Sequence, residues 1–202
     1  MRPAPVRVVF LDRDGVINHD SPDYIKSWSE VRFIPGSLSA IRRLNEVGYT
    51  VIVITNQSAV QRGLISLDEL ERIHRRMQEA AAAEGGRIAA IFFCPHLPDE
   101  GCPCRKPRPG LIRAARAAYA IDIEQSVMVG DSARDIECAR RAGCGLAVLV
   151  ETGNGREACE ELARKGIRPD RTASDLAAAA EWIISRNTTP DKKTPANRTN
   201  ND

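Results

Sequence analysis

The chain has 202 residues, of which 43% are hydrophobic and 28% are charged, and its formal net charge at pH 7 is +2. This size fits one globular domain, and the net charge is too small to indicate binding to nucleic acid or to an anionic membrane. No apolar run approaches a membrane span, and the opening residues MRPAPVRVVF lack the layout of a signal peptide. We therefore expect a cytoplasmic protein, whose six cysteines are thiols or metal ligands rather than disulfides.

Hydrophobic spacing predicts strands that alternate with helices. In chain order these are a strand at 6–11, a helix at 37–48, a strand at 50–55, a helix from a capping box at Ser66 and Glu69 to about Glu84, a strand at 88–93, a helix opened by Pro109, a strand at 126–130, a helix to about Ala142, a strand at 146–150, and helices near 157–165 and 175–185. Such alternation predicts an α/β fold of three layers, a Rossmann-like and mainly parallel sheet with helices on both faces. We expect one domain over 1–186 and a disordered polar tail over 187–202.

Apolar residues at helical spacing also predict which helix faces are buried. The predicted inward residues are Leu67, Leu70, Ile73 and Met77 in the helix after Ser66, and Leu111, Ile112, Ala115 and Ala118 in the helix after Pro109. His74 falls in the first of these helices, and we expect it at the exposed surface or at the edge of the packing.

Polar motifs follow the predicted strands at their carboxyl ends. FLDRDG ends the first strand, ITNQS ends the second, a loop rich in cysteine follows the third, and VGDSARD ends the fourth. Ligands of open parallel sheets bind at the carboxyl ends of the strands. Four such motifs therefore predict a single site at one edge of the sheet.

Asp12 and Asp14 lie two residues apart beyond the first strand, so an extended backbone places both side chains on the same side. An isolated D-x-D-G stretch is more often a solvated turn. Asp131, however, lies at the end of the fourth strand, and three converging carboxylates form a site for a hard cation. We therefore predict a Mg²⁺ site.

Thr55, Asn56 and Lys106 add a hydroxyl, an amide and a positive charge at the same edge. Each also has a simpler interpretation, as a helix cap, a turn residue or a solvated side chain. Together with a nucleophilic carboxylate and Mg²⁺ they favour phosphoryl transfer, because a metal ion and a lysine offset the repulsion between a carboxylate and a phosphate.

The stretch CPHLPDEGCPCRKPRPG (94–110) contains Cys94, His96, Cys102 and Cys104 in the spacing C-x-H-x₅-C-x-C. Three thiolates and an imidazole make a complete tetrahedral zinc set with no position left for water, which favours structural over catalytic zinc. Disulfides are disfavoured by the expected compartment and by the odd number of cysteines in the loop. We predict that zinc folds this loop and fixes the direction of the Arg-Lys pair that follows it.

The motifs FLDRDGVIN, ITNQS, CRKP and VGDSARD resemble, in this order, the four motifs of the haloacid dehalogenase superfamily of phosphatases. The resemblance covers the chain up to about residue 150. It implies that Asp12 is the nucleophile that becomes an aspartyl-phosphate and that Asp14 is the general acid and then the general base. It also implies that Thr55 and Lys106 hold the phosphoryl group.

The same resemblance implies the metal ligands and the shape of the site. Mg²⁺ would be held by the carboxylates of Asp12 and Asp131 and by the backbone carbonyl of Asp14, and Asp135 would support Lys106 or a metal-bound water. No long insertion follows the first or the third motif, so the resemblance implies no large cap domain and a relatively open site.

Within the superfamily, the zinc loop followed by R-K-P-x-P-G is similar to the histidinol-phosphate phosphatase-like group. By this resemblance the substrate is D-glycero-D-manno-heptose 1,7-bisphosphate, cleaved at C7, and the enzymatic alternative is histidinol phosphate. The implied substrate contacts are Asp20, Tyr24, Asn56, Gln57 and Arg105. A second alternative is a catalytically idle module that binds phosphate or a partner through the zinc loop. We expect a monomer with no nucleic-acid or membrane partner.

Overall fold

A computed structural model describes residues 4–187 of the chain. Over this range the elements in chain order are β1 (Val8–Leu11), α1 (Ser37–Glu46), β2 (Thr50–Asn56), α2 (Leu67–Ala83), β3 (Ile88–Cys94), α3 (Gly110–Ala118), β4 (Val127–Gly130), α4 (Ala133–Ala142), β5 (Leu146–Val150), α5 (Gly155–Arg164), β6 (Arg171–Ala173) and α6 (Leu176–Asn187). The tail predicted at 187–202 lies outside the described residues, apart from the last residue of α6.

The six strands form one parallel sheet in the order β3-β2-β1-β4-β5-β6. Residues of β1 alternate between the two faces: Val9 and Leu11 pack against α1, α2 and α6, whereas Val8 and Phe10 pack against α3, α4 and α5. Because both faces are covered, every residue of β1 is buried, which is why the strand reads as an unbroken apolar run. The predicted three-layer α/β fold is confirmed.

Three details concern the ends and edges of the predicted elements. The strand β6 was not predicted, because its three residues include only one buried side chain and show no hydrophobic period. Leu67 and Ala118 are exposed rather than inward, since each lies at a helix end where the chain turns away from the sheet. The Ser66 hydroxyl does accept a hydrogen bond from the Glu69 amide at 3.1 Å, as the predicted cap requires.

The strand order brings the polar motifs together. β1 lies between β2 and β4. The chain adds β2 and β3 on one side of β1 and then β4, β5 and β6 on its other side. The crevice beyond the carboxyl ends of such neighbouring strands is where open α/β sheets bind ligands. Asp12 follows β1, Asn56 ends β2 and Asp131 follows β4, so all three lie at this crevice.

The segments that border the crevice are short. Between β1 and α1 the only helical element of the described chain is a 3₁₀ turn at Trp28–Glu30, and between β3 and α3 it is another at Pro98–Glu100. No cap domain is therefore inserted at either point in residues 4–187. Within the same range, no helix has the length and apolarity needed to cross a bilayer.

The different burial of two leucines in α2 gives a test of this packing. Leu70 is fully buried, whereas Leu67 is 46% exposed. We expect Leu70→Ala to lower the free energy of unfolding by about 2–5 kcal/mol through lost burial and a residual cavity, and Leu67→Ala to lower it by less than about 0.5 kcal/mol. Urea denaturation of both variants measures the difference, and equal losses would contradict the placement of α2.

Candidate active site

Lys106 is the buried cation of the crevice. Its ammonium group lies 2.8 Å from Asp12 Oδ2 and 2.6 Å from Asp135 Oδ1, and it donates a hydrogen bond to the carbonyl of Ile54 at 3.0 Å. The side chain is 2% exposed. Burial acts to lower the pKa of Lys106, but the two carboxylates outweigh it and raise the pKa above the ordinary value. The lysine is therefore charged, and it lies directly beside the predicted nucleophile.

The backbone of Lys106 is fixed by Asn56 at the end of β2. The Asn56 side-chain oxygen accepts from the Lys106 amide at 3.1 Å, and its nitrogen donates to the Lys106 carbonyl at 3.3 Å. These two bonds attach the segment that follows the cysteine loop to the sheet. Both polar atoms of the Asn56 side chain thus bond to the Lys106 backbone, and the predicted contact of Asn56 with substrate stays a prediction.

Asp135 belongs to the first turn of α4 and is fully buried. One of its oxygens, Oδ2, accepts from the Ser132 amide at 3.0 Å and from the Ser132 hydroxyl at 2.7 Å, and the other contacts Lys106. Gly130 makes room for it, since a Cβ at Gly130 would lie 2.2 Å from the Asp135 Cβ. The predicted support of Lys106 by Asp135 is present in the geometry.

Asp131 also lies close to Asp12. Its Oδ2 accepts from the backbone amide of Asn154 at 2.8 Å and from the Asn154 side chain at 3.1 Å. Gly15 and Gly153, both with positive φ, approach so closely that a Cβ on either would lie 2.1 or 2.2 Å from Asp131 Oδ2. Sequence reasoning missed Asn154, although the N-G pair after the fifth strand is a turn signal at the same edge of the sheet.

The carboxylates of Asp12, Asp131 and Asp135 have oxygens within 4.8 Å of one another. Burial raises the pKa of Asp12 to about 6 against the opposing charge of Lys106. Burial, and then the charges of Asp12 and Asp135, raises the pKa of Asp131 to about 8. Two crowded, hard oxygen ligands with raised pKa values fit a divalent cation, which would favour their ionised forms.

Asp14 has different surroundings. Its carboxylate accepts from Arg13, from Asn18 at 2.9 Å and from Gln57 at 2.8 Å. Burial acts to raise the pKa of Asp14, but the Arg13 guanidinium and these hydrogen bonds hold it below the ordinary value. Gln57 also donates to the Thr55 hydroxyl at 2.8 Å, so its amide links two of the predicted catalytic residues.

The Arg13 side chain is buried, with 2% of its surface exposed, and it contacts His74 of α2. The distance from Arg13 Nη1 to His74 Nε2 is 3.3 Å, and the imidazole lies 5.6 Å from the ring of Phe93. Burial and the charge of Arg13 lower the pKa of His74 to about 3, so the ring is neutral at pH 7 and Nε2 can accept. Because the ring is buried, the expectation that His74 lies at the exposed surface or at the edge of the packing was wrong.

A cavity of about 330 Å³ opens over these groups. All ten predicted catalytic, substrate and magnesium residues line it: Asp12, Asp14, Asp20, Tyr24, Thr55, Asn56, Gln57, Arg105, Lys106 and Asp131. The cavity wall also includes Arg13, Ser132, Arg134 and Asn154, which sequence reasoning had not assigned to substrate or metal. Arg13 and Arg134 carry no sequence signal of burial or of approach to the cavity, because arginine is most often a surface residue.

The four cysteine-loop residues also converge. The side chains of Cys94, His96, Cys102 and Cys104 offer ligand atoms within 4.8 Å of one another. The sulfur atoms lie 3.2 to 3.5 Å apart, too far for a disulfide and near the spacing of about 3.8 Å that tetrahedral ligands at about 2.3 Å from zinc would have. The set fits zinc, as predicted. Arg105 is tied to this loop, since its Nη1 donates to the His96 carbonyl at 3.0 Å.

Comparisons with known proteins identify the relatives of this chain. A family model described as HAD-hydrolase-like matches residues 103–179. The D-glycero-beta-D-manno-heptose-1,7-bisphosphate 7-phosphatase of Pseudomonas aeruginosa is 49% identical over 177 residues, which make up 88% of this chain and 97% of the relative. The protein of the same name from Bordetella bronchiseptica is 46% identical over 180 residues, or 89% of this chain and 98% of the relative.

Solved structures give the same grouping. The crystal structure of D,D-heptose 1,7-bisphosphate phosphatase from B. bronchiseptica, complexed with magnesium and phosphate, matches with a TM-score of 0.83 at 46% identity and covers 90% of this chain and 99% of that one. Because similarity of this degree extends over nearly the whole length of these relatives, the chain belongs to the haloacid dehalogenase-like hydrolase family and, within it, to the group of the heptose-1,7-bisphosphate 7-phosphatases.

Proposed function

We propose that this chain is a Mg²⁺-dependent phosphatase that removes the C7 phosphate of D-glycero-D-manno-heptose 1,7-bisphosphate through an aspartyl-phosphate on Asp12. The observation that carries the proposal is the ion pair of Asp12 with the buried Lys106, at the base of a cavity that Asp131 also lines. The names of the full-length relatives supply the substrate. A protein that only binds phosphate would not need a nucleophile beside a buried cation. The alternative of a catalytically idle binding module is therefore not favoured.

In the first step, a carboxylate oxygen of Asp12 attacks phosphorus and the bond from phosphorus to the C7 oxygen breaks. A carboxylate and a phosphate repel each other by about 4 kcal/mol at 4 Å and an effective dielectric constant of about 20. Lys106 opposes this repulsion because its charge lies 2.8 Å from Asp12 Oδ2. The Thr55 hydroxyl accepts from Gln57 and would donate its own hydrogen to the transferring group. Asp14 is ionised in the free protein, and the negative charge of the bound phosphate favours its protonated form, which then gives the proton to the departing sugar oxygen.

In the second step, water attacks the phosphorus of the aspartyl-phosphate and gives its proton to Asp14, and the bond from Asp12 to phosphorus breaks. This returns the Asp12 carboxylate and releases inorganic phosphate. Asp14 suits both proton transfers because its carboxylate faces the cavity and is 20% exposed. When bound, Mg²⁺ would supply positive charge to the phosphoryl oxygens. Asp12, Asp131 and the Asp14 carbonyl would hold it.

The substrate would be recognised by the two short segments that border the cavity. Asp20 and Tyr24 come from the segment after β1, and Arg105 comes from the cysteine loop. Arg134 of α4 lines the same cavity, and its charge acts on Arg105. Two neighbouring guanidinium groups suit the second phosphate of a bisphosphate, which each could bind through two hydrogen bonds.

Zinc bound by Cys94, His96, Cys102 and Cys104 would have a structural role. It would cross-link a loop whose only regular element in the described chain is one 3₁₀ turn, and would thereby fix Arg105 and the approach to Lys106. Free thiols are typical of a reducing compartment, and we infer that the protein acts in the cytoplasm, as a monomer.

The nucleophile is tested by Asp12→Asn. This change keeps the shape of the side chain but removes the charge that attacks phosphorus, and the ammonium group of Lys106 keeps Asp135 as a partner. We expect turnover to fall by several orders of magnitude while the melting temperature changes little, because a covalent intermediate can no longer form. Phosphate release and thermal unfolding measure the two effects. Turnover near the wild-type level would contradict the mechanism.

The zinc site is tested by metal analysis and by Cys102→Ser, with Cys159→Ser as the matched control. Cys159 is an exposed thiol of α5 outside the loop. We expect about one tightly bound zinc per wild-type chain, and a loss of zinc, stability and activity together in Cys102→Ser but not in the control. A wild-type protein free of zinc, or a Cys102→Ser variant unchanged in all three properties, would overturn the proposal.

The substrate is tested by comparing kcat/KM for the two anomers of heptose 1,7-bisphosphate and for histidinol phosphate. We expect a heptose bisphosphate to be preferred, since histidinol phosphate presents a cationic amine to Arg105. Arg105→Ala should lower the ratio of kcat/KM for heptose bisphosphate to kcat/KM for histidinol phosphate by about tenfold or more. Arg87→Ala should leave this ratio unchanged, because Arg87 precedes β3 at its amino end, at the opposite edge of the sheet. A wild-type preference for histidinol phosphate would move the assignment to that substrate.

A further inference from the structure

Arg13 lies between the two aspartates of the first motif but does not face solvent. Its side chain is 2% exposed, which is unusual for arginine, and its guanidinium group has three different partners. Nε and Nη2 donate to Asp14 at 3.1 and 2.9 Å, Nη2 donates to Gln57 Oε1 at 3.0 Å, and Nη1 lies 3.3 Å from His74 Nε2. A buried guanidinium this fully bonded has a fixed position.

Arg13 fixes the direction of the Asp14 carboxylate. Asp14 Oδ1 accepts from Arg13 Nε and from Asn18, and Oδ2 accepts from Arg13 Nη2 and from Gln57. Four donors from three side chains thus hold the ionised carboxylate, and one of these hydrogen bonds must be released when Asp14 carries the proton. Because the planar guanidinium binds both oxygens at once, it sets the plane of the carboxylate as well as its distance.

The same guanidinium also orients Gln57. The Gln57 oxygen accepts from Arg13, which leaves the amide nitrogen to donate to Asp14 Oδ2 and to the Thr55 hydroxyl, both at 2.8 Å. With the amide reversed, its nitrogen would face the Arg13 donors and neither of those bonds could form. Arg13 therefore acts on Thr55 through Gln57.

His74 contacts Arg13 from outside the cavity wall. It lies in α2, is 6% exposed and packs against Phe93 of β3. It is absent from the cavity wall, so it is not placed to touch substrate. Among the described residues, the only hydrogen-bond partner of its imidazole is Arg13.

We propose that Arg13 and His74 are positioning residues for proton transfer: His74 anchors the Arg13 guanidinium, which aims the carboxylate of Asp14 at the leaving oxygen. The inference rests on the proposed role of Asp14 as the general acid and base. By this proposal, acid catalysis depends on a residue of α2, although no residue of that helix lines the cavity.

The test is the dependence of phosphoryl transfer on the leaving group. An alkyl alcohol needs a proton as it departs, whereas 4-nitrophenolate leaves almost unaided. In single-turnover experiments, we expect His74→Leu to slow transfer from the sugar phosphate by about tenfold or more and transfer from 4-nitrophenyl phosphate by less than about threefold. His74→Gln should restore the sugar phosphate rate, because its side-chain oxygen can accept from Arg13.

Gln78→Leu is the matched control, since Gln78 also lies in α2 and donates to the Ile88 carbonyl at 3.0 Å without contacting Arg13. It should lower both rates equally or neither. Equal losses for the two substrates in a folded His74→Leu variant, or no loss at all, would overturn the proposal. If His74→Leu does not fold, Arg13→Lys is measured in the same way, because lysine keeps the charge but not the planar fork of donors.

The experiment separates this inference from the proposed function. If the wild-type protein does not hydrolyse heptose 1,7-bisphosphate, the substrate assignment fails, and any other alkyl phosphate that it hydrolyses takes the place of the sugar phosphate. The leaving-group comparison then still decides the role of Arg13 and His74.

Discussion

Lys106 carries a positive charge into the interior of the protein, between the carboxylates of Asp12 and Asp135. A buried charge costs several kcal/mol in lost hydration, so this arrangement persists only if every partner is held in place. Ser132 holds Asp135, the missing side chain of Gly130 leaves space for it, and Asn56 holds the backbone of Lys106. The chemistry at Asp12 thus depends on residues from three strand ends and from the cysteine loop.

The two aspartates of the first motif are separated by one residue but have unlike partners. Asp12 shares Lys106 with Asp135, so its own charge is only partly compensated and it remains available for attack. Asp14 is the only carboxylate paired with Arg13 among the described residues, and two side-chain amides donate to it in addition. Different surroundings divide two chemically identical side chains into a nucleophile and a proton carrier. The residue between them makes this division possible, because its side chain folds back onto Asp14.

The sequence was most informative where a local pattern has a local cause. Buried parallel strands are continuous apolar runs, and the motifs that follow them must meet at one edge of the sheet, so the order of the motifs along the chain is enough to group Asp12, Thr55, Lys106 and Asp131. His74 could not be placed in this way, since its burial depends on Arg13, which is 61 residues away in the chain. Contacts between side chains from distant segments leave no periodic signal, and arginine and histidine have no strong preference for the interior that would indicate them.

Because residues 4–187 contain no cap domain, the two short segments beside the cavity are the parts of the described chain that would recognise substrate. Neither segment has enough regular structure to hold its own shape, and each is stabilised by other means. Asn154 bridges Asp20 to the Asp131 side of the site, at 3.4 Å from Asp20 Oδ2, and the four zinc-ligand side chains gather the other segment around Arg105. The groups that would recognise the sugar are therefore linked to residues that would hold the two metals, Asp20 to Asp131 through Asn154 and Arg105 directly to His96, so loss of either metal should alter selectivity as well as rate.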